Sequence, residues 1–172
     1  MKTVQKKICL LGDFSVGKTS LVRQYVEGRF DDSYLSTIGV KISKKTIDIT
    51  HEDAVVKLLI WDLAGGDGYS KVTSGYLTGA AGILMVCDVT RKSTLAMLDI
   101  YSKQLEKVNK KEIPVVILIN KIDLIEKREI SDQSIINIAE RLDAEWLFTS
   151  AKTGEGTENG FSLLASKTLE TI

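Results

Sequence analysis

Proline is nearly missing from this sequence: its 172 residues contain one, Pro114. Proline-rich ligands and stiff proline linkers are thereby excluded, because both need the residue in runs. With one histidine, His51, and two cysteines, Cys9 and Cys87, the chain also lacks the ligands for a Cys/His zinc site. His51 lies in the polar turn Thr50-His51-Glu52-Asp53. Both cysteines sit inside apolar runs, KKICLLG and GILMVCDV, where a buried, reduced thiol is expected rather than a disulfide. Neither sign of charge prevails, since 23 basic residues balance 23 acidic ones. A nucleic-acid surface or an anionic-membrane surface would need a bias.

No apolar run is long enough to span a bilayer, and there is no signal peptide. Lysine at position 2 excludes myristoylation, and the lack of a cysteine near Ile172 excludes prenylation of this chain. A chain trimmed of a lipidated tail would read the same. The expectation is a cytoplasmic monomer without a membrane anchor of its own, reaching membranes only through a partner or a missing tail.

Present instead is an ordinary globular balance, 44% hydrophobic and 27% charged. The length suits one domain, 1–172, with a core that needs no staples. Short apolar runs at 6–11, 55–61, 82–86, 115–119 and 145–148 mostly lack alternation, as strands covered on both faces do. Residues 40–49 alternate, and the turn at 51–53 joins them to the next run as an antiparallel edge hairpin. Leu95, Leu98, Tyr101, Leu105 and Val108 step by three or four, as do Phe161, Leu164, Ala165, Thr168, Leu169 and Ile172. Ser131 and Ser134 are candidate N-caps for a helix through Ile135, Ile138 and Leu142. Pro114 opens a strand, where a missing N–H is tolerated. Strand–helix alternation predicts an α/β fold: a six-stranded, mostly parallel, doubly wound sheet with one antiparallel edge strand and about five helices. Ligands then bind at the carboxyl ends of the strands.

Chemistry begins where the first strand ends. Gly12-Asp13-Phe14-Ser15-Val16-Gly17-Lys18-Thr19 has the spacing G-x-x-x-x-G-K-[ST], between an apolar strand and a helix. Backbone N–H groups of Asp13 to Ser20 and the helix N-terminus can cradle phosphate oxygens. Lys18 would reach the β- and γ-phosphates, and the Thr19 hydroxyl would bind Mg²⁺. With glycine near ~7% of residues, roughly one chain in two hundred of this length would carry the pattern by chance. A Gly-rich turn beside a solvated lysine is the plainer alternative, and the strand-to-helix context weighs against it.

The base is read elsewhere. Asn120-Lys121-Ile122-Asp123 follows the apolar run 115–119 directly. A carboxylate at Asp123 can accept from guanine N1–H and the exocyclic amine, whereas adenine would leave it unpaired. Sites of that kind discriminate by ~10⁴ or more. Alone, the tetrapeptide could be a helix-cap turn; behind a strand and beside the phosphate motif it points to guanine. Thr149-Ser150-Ala151-Lys152 ends the last strand, where the Ala151 N–H can meet guanine O6.

Trp61-Asp62-Leu63-Ala64-Gly65 resembles the W-D-x-A-G of Rab-type small GTPases of the Ras superfamily, P-loop NTPases. Ser36-Thr37-Ile38-Gly39-Val40 is similar to their effector region. Gly79-Ala80-Ala81-Gly82-Ile83-Leu84 and Asp88-Val89-Thr90 are similar to the run through their fourth strand. With the phosphate motif, Asn120 to Asp123 and Ser150 to Lys152, the resemblance spans the chain in order. It implies a GTP/GDP switch in which Thr19 and Thr37 ligate Mg²⁺, Thr37 only in the triphosphate state, while Asp62 holds it through water. It further implies that the Gly65 amide senses the γ-phosphate, that Phe30 packs edge-on against guanine and that Tyr34 closes over the phosphates. Lys121 and Lys152 would lay their stems on the base. Phe30 as a plain core residue stays an equal alternative. Loops 31–39 and 65–79 would order on the γ-phosphate, release on its loss, and carry effector and regulatory proteins.

Two departures touch hydrolysis. The family usually has a water-orienting glutamine after Gly65; here stands Gly66. At the third P-loop position, usually small, stands Phe14, whose ring would face the γ-phosphate. Gly66 and Gly68 would loosen the second switch by up to ~1 kcal/mol each if a helix forms there. Asp67 could orient water, though a solvated carboxylate is the plainer reading. Slow hydrolysis is therefore expected, with Lys18, Thr37, Gly65 and Gly66 as the residues at the reacting end. The alternative is a GTP-bound interaction module or scaffold with little hydrolysis. An ATP-using P-loop kinase is opposed by Asp123 and by the lack of a lid-like arginine cluster.

Overall fold

A computed structural model describes residues 1–33, 37–65, 71–109 and 111–171. Tyr34, Gly66, Asp67 and Gly68, which carry sequence expectations, lie outside them. Among the described residues there are six strands: β1 (Lys2–Gly12), β2 (Val40–Ile49), β3 (Ala54–Leu63), β4 (Gly82–Asp88), β5 (Val115–Asn120) and β6 (Glu145–Phe148). Five α-helices accompany them: α1 (Lys18–Glu27), α2 (Lys71–Leu77), α3 (Lys92–Val108), α4 (Asp132–Arg141) and α5 (Thr157–Glu170). The sheet order is β2-β3-β1-β4-β5-β6, with the β2–β3 pair antiparallel and every other pair parallel. The α/β expectation holds in strand number, order of elements and the single antiparallel edge.

Strand alternation divides the core in two. Cys9 and Leu11 face α2, α3 and α4, packing with Leu77, Leu98, Tyr101 and Ile135. Ile8 and Leu10 face α1 and α5, with Leu21, Tyr25, Phe161 and Leu164. The Tyr25 and Phe161 rings stack at 4.1 Å and tie α1 to α5. Both cysteines are free and buried, as the apolar runs predict.

The differences from the sequence reading are local. β1 starts at Lys2 because residues 2–5 pair with Ala54 to Lys57 beyond the doubly covered zone, where polar side chains can face water. The hairpin turn is a short 3₁₀ turn, Thr50–Glu52, closed by Asp53 at φ +48°. Ser131 caps α4, accepting from the Ser134 N–H at 3.2 Å, so Ser134 is helical rather than a cap. Within the stretch 65–79, residues Lys71–Leu77 form a helix rather than a continuous loop.

Strand order reverses between β1 and β4. From β1 the chain runs through α1 on one face; from β4 it runs through α3 on the other. Such a switch point leaves a crevice at the strands' carboxyl ends.

Candidate functional site

That crevice is a cleft of about 320 Å³ lined by residues 14–20, Phe30 to Ser33, Thr37, Leu63, Gly65, Asn120, Lys121, Asp123, Leu124, Ala151 and Lys152. Sequence motifs far apart in the chain thus share one wall.

The loop from β1 into α1 owes its path to backbone chemistry. Gly17 has φ +99°, and a Cβ there would lie 2.4 Å from Asn120 Nδ2. Only glycine fits. α1 then starts without a side-chain cap or an acidic residue in its first turn, leaving the helix N-terminus to the cleft. Lys18 is 6% exposed, and its Nζ donates to Gly12 O at 2.7 Å and Asp13 O at 3.1 Å. Burial lowers its pKa to about 8, although the Asp62 and Asp13 carboxylates oppose the shift. Gly65 approaches this ammonium so closely that a Cβ would sit 2.6 Å from Nζ.

One corner of the cleft gathers oxygen atoms. The Thr19 hydroxyl donates to Asp62 Oδ2 at 2.5 Å and also meets the Thr37 hydroxyl. Asp62 is 1% exposed, and its Oδ1 is buried without a hydrogen-bond partner among the described residues. Burial raises the Asp62 pKa, opposed by its hydrogen bond from Thr19 and by Lys18 and Lys41. Two hydroxyls and a carboxylate with an unused oxygen form an all-oxygen set that suits a hard cation such as Mg²⁺.

At the other end, Asn120 braces the walls. Its Nδ2 donates to Val16 O at 2.9 Å, while its Oδ1 accepts from the Thr149 hydroxyl at 3.1 Å and the Ala151 N–H at 3.3 Å. Lys121, at φ +66°, donates to Ser15 O at 2.8 Å. Asp123 lines the cleft with Oδ1 held by the Ser150 hydroxyl at 2.7 Å. Ser150 is itself fully buried and stands behind the wall.

Of the sequence-predicted residues, Phe14 to Ser20, Phe30, Thr37, Gly65, Asn120, Lys121, Asp123, Ala151 and Lys152 come together on the cleft. The Asp13 carboxylate turns back to accept the Phe14 N–H at 2.7 Å. Phe14 is half exposed. Phe30 packs on the α1–α5 core and also lines the cleft. Sequence reading assigned no role to Asp88 and Arg91. Asp88 ends β4 buried, pairs with Lys121 at 2.9 Å and Arg91 at 3.1 Å, and Arg91 Nη2 donates to Phe14 O at 2.7 Å. The available signal was a carboxylate closing an otherwise apolar strand.

Residues 7–170 match the family model described as the Ras family. The chain belongs to the Ras family. Among its relatives, human Ras-related protein Rab-30 is 36% identical over 161 residues, covering 94% of this chain and 78% of that protein. Ras-related protein Rab-13 of Canis lupus familiaris is 32% identical, with 92% and 77% covered. Ras-related protein Rab-1 of Theileria parva is 34% identical, with 92% and 72% covered. The chain is thus a Rab-like small GTPase of the Ras superfamily, a GTP-binding switch in general outline. Members of the Ras family bind GTP or GDP with Mg²⁺, and the oxygen corner and the phosphate loop fit that pairing. No helix among the described residues is long and apolar enough to cross a membrane.

Proposed function

We propose that this chain binds GTP and GDP with Mg²⁺ in the cleft described above and hydrolyses GTP slowly, signalling through residues 31–39 and 65–79. The observation that carries the guanine assignment is Asp123: its carboxylate lines the cleft with one oxygen oriented by Ser150. Lys121 and Lys152 would flank the base with their stems, Phe30 would meet its edge, and Ala151 N–H its O6. Lys18 would neutralise the β- and γ-phosphates. Thr19, Thr37 and, through water, Asp62 would hold Mg²⁺, which supplies charge neutralisation for the leaving phosphate. Exposed Ile38, next to Thr37, and exposed Ile42 on β2 offer apolar surface to an effector.

In hydrolysis a water attacks the γ-phosphorus and the bond to the β-phosphate oxygen breaks, releasing GDP and phosphate. Orienting that water is the step this sequence equips poorly. Gly66 offers backbone where the family has glutamine, and Phe14 at the cleft mouth narrows the approach for a partner's arginine. Such an arginine can be worth ~10³–10⁵ in rate. Neither side chain carries the roles proposed for Asp123, Lys18 or Thr19, so binding survives. The same two residues favour a second reading, a GTP-bound interaction module with little hydrolysis.

Single-turnover GTP hydrolysis, with and without cell extract, separates the readings. Slow turnover that extract accelerates supports a cycling switch; turnover that stays near zero supports the module. Phe14→Gly with Gly66→Gln should raise the rate more than either change alone. A fast parent enzyme would overturn the slow-hydrolysis proposal and point to Asp67 or another water-positioning group.

A further inference from the structure

Three successive carbonyls of the phosphate loop are held by side chains. Arg91 takes Phe14 O at 2.7 Å, Lys121 takes Ser15 O at 2.8 Å and Asn120 takes Val16 O at 2.9 Å. In a trans peptide the C=O and the following N–H point in opposite directions. Fixing these carbonyls therefore fixes the N–H groups of Ser15, Val16 and Gly17, three residues that line the cleft. The need is greatest at Ser15, which sits at φ +60°. A residue with a Cβ holds that conformation only when its surroundings enforce it.

Two of the three donors are cations, and both converge on one carboxylate. Asp88 Oδ2 lies 2.9 Å from Lys121 Nζ and 3.1 Å from Arg91 Nε. Its Oδ1 is occupied separately by the Thr90 N–H at 2.9 Å and the Thr90 hydroxyl at 2.6 Å. A carboxylate buried at the end of a strand is costly unless paired, and here the pairing has a direction. It presents Arg91 and Lys121 to neighbouring peptides of the loop. Neither Asp88 nor Arg91 lines the cleft.

We propose that Arg91, oriented by Asp88, is a positioning residue for nucleotide binding: it locks the Phe14–Ser15 peptide so that the Ser15 N–H faces the phosphates. The proposal rests on the reading of the cleft as a nucleotide site. Arg91 reaches the loop through its far nitrogen while its Nε stays on Asp88, a two-ended contact that a single ammonium cannot reproduce in full.

The test compares dissociation of fluorescent GDP, in the presence of Mg²⁺, from the parent, Arg91→Ala, Arg91→Lys and Lys92→Ala as an exposed neighbouring control. Amide spectra of the GDP-bound proteins report the Ser15 N–H. Arg91→Ala should release GDP about tenfold faster, as expected for losing one charged hydrogen bond to the loop. It should also move the Ser15 amide resonance. Arg91→Lys should fall between, and Lys92→Ala should match the parent. A merely structural role would lower the unfolding temperature and leave the off-rate and the Ser15 resonance unmoved; that result overturns the proposal. A parent that fails to bind GDP overturns the nucleotide reading, and this proposal with it. A parent that binds while Arg91→Ala behaves like it sinks this proposal alone.

Discussion

The phosphate loop and the oxygen corner share one cleft but are completed by different means. In the loop, each carbonyl from Gly12 to Val16 already has a protein donor: Lys18 for the first two, then Arg91, Lys121 and Asn120. In the corner, Thr19, Thr37 and Asp62 converge on one another, and Asp62 Oδ1 is left without a partner among the described residues. The loop is preorganised by the chain alone, so it costs little rearrangement when a ligand arrives. The corner is completed only by something positive from outside. A switch needs this division: a rigid part that keeps the nucleotide and a part whose state depends on what is bound.

Changes on the preorganised side should therefore act on affinity itself, and the base end should show the largest effect. Asp123→Asn keeps an oxygen for the Ser150 hydroxyl, so the wall stands, but it exchanges a double acceptor for an amide. GTP affinity should fall by several kcal/mol, the loss of charged hydrogen bonds, while affinity for xanthosine triphosphate rises because its C2 oxygen can accept from the new amide. Calorimetric titration with both nucleotides decides it; unchanged GTP binding would remove the guanine assignment.

The corner should respond next, and through the metal. Thr19→Ala removes a hydroxyl from the oxygen set, and chelating Mg²⁺ removes the charge those oxygens are arranged around. Each should speed GDP release, and in Thr19→Ala the chelator should add little. Lys18→Ala, which belongs to both regions, should weaken nucleotide binding with Mg²⁺ present or absent. Stopped-flow release that ignores the chelator in the parent would break the contrast between loop and corner.

The two regions also differ in how far they were legible. The loop's G-x-x-x-x-G-K-[ST] spacing is dictated by what phosphate chemistry asks of adjacent residues, so it could be read directly. Asn120 and Asp123 were legible for the same reason, though Asn120 Nδ2 and Oδ1 turn out to bond to the protein itself. Asp88 and Arg91 escaped because their partners come from other elements: Lys121 follows β5 and Phe14 follows β1. Spacing along the chain cannot show such pairing. In the fold, strands covered on both faces announced themselves by unbroken apolar runs. The start of β1 did not, because polar side chains alternate there. Nor did α2, whose sequence KVTSGYL carries β-branched residues and a glycine and lacks a helical apolar stripe.

The smallest effect expected is on pH, and it tests Lys18, the residue at which the two regions meet. Burial brings its pKa down from the ordinary lysine value of 10.5 to about 8, with the Asp62 and Asp13 carboxylates opposing the shift and Arg91 adding to it. Phosphates favour the ammonium form, so binding raises the pKa and draws a proton from solution once the free protein has begun to lose it. Affinity for GDP should therefore be level below about pH 8 and decline above it, by at most about tenfold per pH unit. The sign for folding of the nucleotide-free protein is the reverse. There the unfolded chain holds more protons on Lys18 than the folded one, so stability should rise as pH climbs from about 8 toward the ordinary lysine value. Titrating GDP between about pH 7 and about pH 9, in buffers of different ionisation enthalpy, reads both the affinity and the proton taken up. Lys18→Arg, which stays charged throughout, should bind without that uptake. A parent whose affinity is flat across the range would show that Lys18 keeps its proton despite burial, and that the acidic corner holds the loop's lysine charged before any nucleotide arrives.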